Sequence, residues 1–205
     1  GADSINGGSA ADTITGGAGI DTLKGGAGAD SYIYASSAEF VTSNAVVDDI
    51  TGGGGADKAV ITGAIAIVGA DDLARAASVV EIEAAGEADN SGDGGGAAHS
   101  IVISDETRRT DVVSIDLVKS LDAHSTGTVT LTGVTTGVTV VGVAAGANTI
   151  VGGSGADTIT GGSAASDFTG AAGVDVITGG AAADIYRYAS SAEFVTSNAV
   201  VDDIT

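Results

Sequence analysis

The chain has 205 residues, 34 of them Gly, and no Pro, Cys, Met or Trp. Its 27 acids against 7 bases give a formal charge of −20, which excludes a nucleic-acid surface, where Lys and Arg must neutralise phosphate, and disfavours an anionic membrane. With 43% apolar residues but only four Tyr and three Phe, the chain is no disordered acidic tail, yet it cannot fill a thick globular core; a thin, elongated one suits it.

No apolar run approaches the roughly 18 residues of a membrane span, and no N-terminal charged-then-apolar signal is present, so no membrane insertion is expected. The absence of Cys excludes disulfides and thiolate metal sites.

In chain order, the first element is a run of nonapeptides over residues 1–33. It reads GGSAADTIT (Gly7 to Thr15), GGAGIDTLK (Gly16 to Lys24) and GGAGADSYI (Gly25 to Ile33), after GADSIN, the tail of another unit. Residues 34–58 form a connecting exit segment. In it SSAEFVTSNA suits one helical turn or a loop, capped by Ser36 or Ser37, and GGGGADKAV (Gly52 to Val60) is an isolated further unit.

From residue 59 to 151 the pattern changes to Val-, Ile- and Thr-rich strands between polar turns: KAVIT, AIAIVG, VVEIEA, SIVIS, DVVSIDL, GTVTLTG, GVTVVGV and NTIV. Such spacing suits a sandwich, a barrel or a continuing solenoid. The glycine-phased VTTGVTVVG and VAAGANTIV (Val143 to Val151, with Asn148 in the Asp slot) favour the solenoid. DDLARAASVV alone has helical spacing, with Leu73, Ala76 and Ala77 on one face.

The acidic loop EADNSGDGGG matches early positions of an EF-hand loop but has Ser100 where that loop needs a bidentate Glu. His99 and His124 are read as exposed strand-end residues, and Arg108 and Arg109 as partners of Asp105 and Glu106.

Residues 152–187 are a second nonapeptide run, GGSGADTIT, GGSAASDFT, GAAGVDVIT and GGAAADIYR. Residues 188–205 then repeat YASSAEFVTSNAVVDDIT from Tyr34 to Thr51 without a change. The period is 154 residues, and aligning residues 1–51 on 155–205 without gaps gives 38 identities. The chain therefore reads as a window on a longer tandem array, ending at the start of the next copy.

Each nonapeptide has paired glycines, an Asp at the sixth position and an apolar residue at the eighth. Glycines permit tight, crowded turns. A strand of about three residues follows, with Ile5, Ile14, Leu23, Tyr32, Ile159, Phe168, Ile177 and Tyr186 pointing inward. One such strand cannot bury its apolar face, so successive strands must stack into a parallel solenoid. Stacked carboxylates repel unless a cation lies between them; a hard cation of Ca2+ size takes six to eight oxygens, including the carbonyls that glycine turns expose. A metal-free ladder of Asx-turns is the other reading.

These units resemble the RTX (repeats-in-toxin), hemolysin-type family, whose consensus is G-G-x-G-x-D-x-U-x with U a large apolar residue. The match covers about 75 residues. The resemblance implies an all-β fold, a right-handed parallel β-roll of two nonapeptides per turn, with Ca2+ held between loops. By position it implies carboxylate ligands at Asp3, Asp12, Asp21, Asp30, Asp157, Asp175 and Asp184, with carbonyls at Gly7, Gly16, Gly25, Gly152, Gly161 and Gly179. Asp57 is a further ligand, a partner of Lys58 or the cap of a turn. Ser166 stands in an Asp slot with Asp167 out of phase beside it, and Ala10, Ala164, Ala171 and Ala182 replace glycines.

The sequence contains no H-E-x-x-H, G-x-S-x-G or P-loop pattern, so the expectation is a non-catalytic protein. The composition resembles RTX-type S-layer proteins and long adhesins. That resemblance implies type I secretion, a bacterial cell-surface location, and three kinds of partner: calcium ions, copies of the chain itself and a cell-surface polysaccharide. The alternative is the calcium-binding C-terminal region of a secreted RTX enzyme or toxin. The stretch TVTLTGVTTGVTV adds a third reading, an ice- or carbohydrate-binding adhesin module.

Overall fold

The computed structural model describes residues 1–42, 45–62, 64–67, 76–77, 79–84, 98–103, 114–117 and 125–189, with short strands at 195–196, 199–200 and 203–204. The first run supplies β1 (Ser4–Gly8), β2 (Thr13–Ile14), β3 (Thr22–Ala27) and β4 (Ser31–Tyr34). The single helical turn α1 (Ser37–Phe40) and the hairpin of β5 (Val41–Thr42) and β6 (Ala45–Val46) follow. Then come β7 (Asp49–Gly54), β8 (Asp57–Ile61), β9 (Ala66–Ile67), β10 (Ala76–Ala77), β11 (Val79–Ala84), β12 (Ala98–Val102), β13 (Ser114–Asp116) and β14 (Thr126–Thr130). β15 (Thr139–Val141) and β16 (Ala147–Val151) lead into the second run, which brings β17 (Thr158–Thr160), β18 (Asp167–Thr169), β19 (Val176–Thr178) and β20 (Ile185–Arg187). It closes with β21 (Val195–Thr196), β22 (Ala199–Val200) and β23 (Asp203–Ile204).

Apart from the two hairpins, every strand pairing is parallel, and three sheets result. The first is β1-β3-β7-β10, the second runs the length of the stack from β2 to β23, and the third is β9-β12-β14-β16-β18-β20. This is the parallel β-roll of the repeat pattern, extended through the middle of the chain. In both runs partners lie 18 residues apart, as in Thr13 on Ser31 and Thr158 on Val176. Two nonapeptides therefore make one turn, one strand on each side.

Alternation of side chains along each strand turns one residue in three inward. In the second sheet these stack as Tyr32, Ala59, Ile82, Ile115, Val140, Ile159 and Ile177, all buried. In the third sheet the column is Ile67, Ile101, Val129, Ile150 and Phe168, all buried, with Tyr186 partly so. Each fully buried Ile contributes about 1.5–3 kcal/mol of transfer free energy, which a one-residue-thick core collects along its length. Ile5, on the outermost strand, is only partly buried.

Ser36 caps α1, its Oγ accepting from the Glu39 N–H at 3.3 Å, while Glu39 Oε2 accepts from the Ala35 N–H at 2.8 Å. These two bonds hold the N-terminal end of α1, and the insertion it forms means that Thr22 pairs with Asp49 instead of a residue 18 positions on.

Two sequence expectations are corrected here. Ala76 and Ala77 are not helical: they form β10, stacked on Ile50 and Thr51, and Val79 opens β11. Tertiary stacking overrides the weak local spacing; residues 71–75, with Leu73, lie outside the described residues. His99 is not exposed: it is buried in β12, and its Nδ1 accepts from the Ile65 N–H at 3.3 Å. His124, Arg108, Arg109 and the EADNSGDGGG loop also lie outside the described residues.

Candidate calcium centre

The sixth-position acids form ladders along the turns. Asp21 Oδ1 accepts from the Asp3 N–H at 2.7 Å, and Asp30 Oδ1 from the Asp12 N–H at 2.9 Å. Asp57 Oδ1 accepts from Asp30 N–H at 2.9 Å. In the second run Asp175 Oδ1 accepts from Asp157 N–H at 2.8 Å, and Asp157 Oδ1 from Val138 N–H at 2.8 Å. One carboxylate oxygen thus ties each turn to the turn before it.

The other oxygen faces the glycines. Among the described residues, no donor reaches Oδ2 of Asp12, Asp21, Asp30 or Asp57, although all four atoms are buried. A Cβ placed on Gly7 would lie 2.5 Å from Asp12 Oδ2 and 2.6 Å from the Gly25 carbonyl oxygen. On Gly16 it would lie 2.5 Å from Asp21 Oδ2, and on Gly25 it would collide with Asp30 Oδ2 and meet the Gly52 carbonyl at 2.7 Å. Gly152 faces Asp157 Oδ2 and the Gly170 carbonyl, and Gly179 faces Asp184 Oδ2 and the Tyr186 hydroxyl; Asp157 Oδ2 differs from the first-run oxygens in accepting the Gly153 N–H at 2.8 Å. Each of these cradles therefore presents a carboxylate oxygen where only glycine leaves space, and those at Gly7, Gly25 and Gly152 add a backbone carbonyl oxygen from the next turn.

A buried carboxylate oxygen without a donor costs several kcal/mol. Carboxylates on neighbouring rungs, about 4.8 Å apart, repel by roughly 3 kcal/mol at an effective dielectric constant near 20. Burial pushes the Asp57 carboxyl above the usual range, the Asp30 N–H lowering it again and the Asp30 charge raising it further. A hard divalent cation would satisfy the oxygens and cancel the repulsion together, and an all-oxygen donor set suits Ca2+. Among the described residues no three acidic or imidazole side chains converge on one point; each cradle has one carboxylate of its own.

The sequence-derived positions divide accordingly. Asp21, Asp30, Asp57, Asp157 and Asp175 are buried in the ladders, Asp12 and Asp184 are half-buried, and Asp3, on the outermost rung, is exposed. Asp57 does not pair with Lys58, whose Nζ donates to Glu83 Oε2. Gly161 faces the Gly179 carbonyl and, at 2.5 Å, the Phe168 ring, but no carboxylate, because Ser166 occupies the acid slot. Asp167 points outward and makes a two-oxygen ion pair with Arg187, Nε to Oδ1 at 2.6 Å and Nη2 to Oδ2 at 2.6 Å. Arg187 holds the Asp167 carboxyl below its ordinary value.

One ladder member was missed from sequence. Asp48 Oδ1 accepts from the Asp21 N–H at 2.9 Å, continuing the Asp3–Asp21 column. The signal was its place two residues before the inward Ile50, the spacing of Asp12 to Ile14; the glycine half of its unit is replaced by the α1 insertion. Its second oxygen accepts the Tyr34 hydroxyl at 3.2 Å. Burial, then the Asp48 charge, pushes the Tyr34 hydroxyl up, so it stays a donor.

Between the runs the acid column becomes neutral. Val79 and Val138 continue the column of Asp57 and Asp157, and His99, Gly127, Asn148 and Ser166 share the other. Asn148 Oδ1 accepts from the Val143 N–H at 2.8 Å, while its Nδ2 donates to the carbonyls of Val143 (3.2 Å) and Gly146 (3.4 Å). Ser166 Oγ accepts from the Asn148 N–H at 3.0 Å.

The family model of the RTX calcium-binding nonapeptide repeat matches four copies, over residues 1–34, 144–165 and 167–190. No curated protein and no solved structure matches the chain. The RTX nonapeptide repeat binds Ca2+, and the matched segments coincide with the cradles and with the Asn148 unit.

Proposed function

We propose that this chain, whose two runs match the RTX calcium-binding nonapeptide repeat, is a calcium-stabilised structural repeat of a secreted bacterial cell-surface protein, of the S-layer, filament or adhesin type, which assembles outside the cell. The role is non-catalytic. The observation that carries it is the ladder of buried Asp carboxylates facing glycine cradles, joined to a 154-residue period that recurs with its strand register intact.

At low calcium the stacked acids oppose the docking of the runs, which keeps the chain loose for export by a type I route. At extracellular calcium, binding free energy becomes folding free energy. Asp21, Asp30, Asp57, Asp157 and Asp175 would hold the ions, with carbonyls of Gly7, Gly16, Gly25, Gly152 and Gly179. Identical surfaces recurring along a rigid stack give matching contacts at fixed intervals, and such contacts propagate into open arrays.

Electron microscopy of the intact protein, in calcium and after chelation, tests this reading. Calcium-dependent sheets or filaments support it. Dispersed monomers in both conditions at high concentration contradict it and favour the calcium-binding region of a secreted enzyme or toxin.

A further inference from the structure

The start of the second copy does not return to the sheets used by the first. β1, β3 and β7 lie in the first sheet, but their counterparts 154 residues on, β17, β19 and β23, lie in the second. Likewise β2 and β4 lie in the second sheet and their counterparts β18 and β20 in the third. The register is nonetheless the same. Thr22 pairs with Asp49 and Leu23 with Ile50 in the first copy; Val176 pairs with Asp203 and Ile177 with Ile204 in the second.

The cause is in the middle of the chain. Two successive turns, β7-β8-β9 and β10-β11-β12, carry three strands, one in each sheet. Among the described residues the third sheet opens at β9 and the first has β10 as its last strand, so the later two-stranded turns run on the second and third sheets.

We propose that tandem 154-residue copies stack as one continuous solenoid in which each copy advances by one sheet. The second sheet of one copy becomes the first sheet of the next, so every sheet passes through parts of three consecutive copies and no copy is a separate bead. The partner of the C-terminal edge is thus a further copy of the same sequence: the β8 counterpart on β20, in the register of Ser31 on Lys58 and Tyr32 on Ala59. The three-stranded turns carry the opening and the closing sheet side by side, so the pair of sheets that frames the two-stranded turns changes from one copy to the next. The α1 insertion, which joins the second sheet to the first in one copy, joins the third to the second in the next. This inference rests on strand register and stands independently of where the protein works.

Two measurements test it. The chain lacks Cys, so the pair Val176→Cys with Asp203→Cys and, as internal standard, Thr22→Cys with Asp49→Cys can be oxidised in the 205-residue chain, with and without calcium. Equal registers predict disulfide yields within about twofold of each other. Closure of the Thr22–Asp49 pair without closure of the Val176–Asp203 pair would overturn the proposal. The second measurement is electron microscopy of chains carrying three and six copies. Expected are unbranched rods whose length doubles, with the α1 protrusion on different faces in successive copies. Beads on linkers, or a protrusion on one face in every copy, would refute it.

Discussion

The side-chain amide of Asn148 donates to the Val143 carbonyl at 3.2 Å, from the slot that Asp holds in the two runs. Its Oδ1 keeps the acceptor role of an Asp, here toward the Val143 N–H, and its Nδ2 supplies positive hydrogens to carbonyls of the same turn. The amide does internally what a cation does for a carboxylate. The same backbone therefore exists in two forms within one chain, ionic in the runs and neutral between them.

That comparison predicts the cost of charging the neutral form. Asn148→Asp removes both Nδ2 donors and buries an uncompensated carboxylate, which should cost roughly 3 kcal/mol or more in chelator. Calcium should recover part of the loss. Urea unfolding with and without calcium measures both; unchanged stability in chelator would contradict the assignment.

The ladder separates two roles of one Asp. Asp30→Asn keeps an acceptor for the Asp12 N–H but lacks the charge, whereas Asp30→Ala also leaves that N–H without its partner, at about 1–3 kcal/mol. Both variants should lose calcium affinity, and only the Ala variant should be weaker than the parent in chelator. Calorimetry and denaturation in parallel decide the matter, and equal behaviour in chelator would count against the ladder.

Position in the frame predicts a contrast in binding. Asp21 is buried between complete units, while Asp167 faces outward to Arg187. Asp21→Ala should reduce calcium uptake and destabilise the first run, and Asp167→Ala should leave uptake unchanged. Comparable calcium losses in titration calorimetry would show the frame to be wrong.

Backbone strain gives a prediction that needs no metal. Ala171 holds φ 71°, the left-handed conformation that its counterpart Gly17 adopts at φ 81°. Such a residue costs about 1–2 kcal/mol, and glycine returns about half of that through unfolded-state entropy. Ala171→Gly should therefore stabilise the second run by about 0.5–1 kcal/mol, read from the denaturation midpoint. A destabilised variant would contradict it.

The sequence displayed the roll most clearly where local chemistry and stacking agree. Gly7, Asp12 and Ile14 fix turn, ladder and core within eight residues, and the fold follows that phase. Legibility failed where a long-range partner decides. Ala76 and Ala77 carry no strand signal of their own and become a strand because Ile50 and Thr51 lie beside them. His99 looked like a surface residue because its partner, the Ile65 N–H, lies 34 residues away on the preceding turn. Asp48 was overlooked because α1 replaces the glycines that announce the other acids. The change from two to three strands per turn has no sequence signature, since it depends on where the chain crosses over and not on any strand's composition.

Hydrogen exchange of the 205-residue chain, in calcium and in chelator, followed segment by segment, tests the central claim most directly. The account predicts that residues 1–33 and 152–187 lose protection by tenfold or more on chelation, while residues 126–151, with their neutral Asn148 unit and aliphatic core, keep most of theirs. Equal protection of the two runs in calcium and in chelator would contradict it.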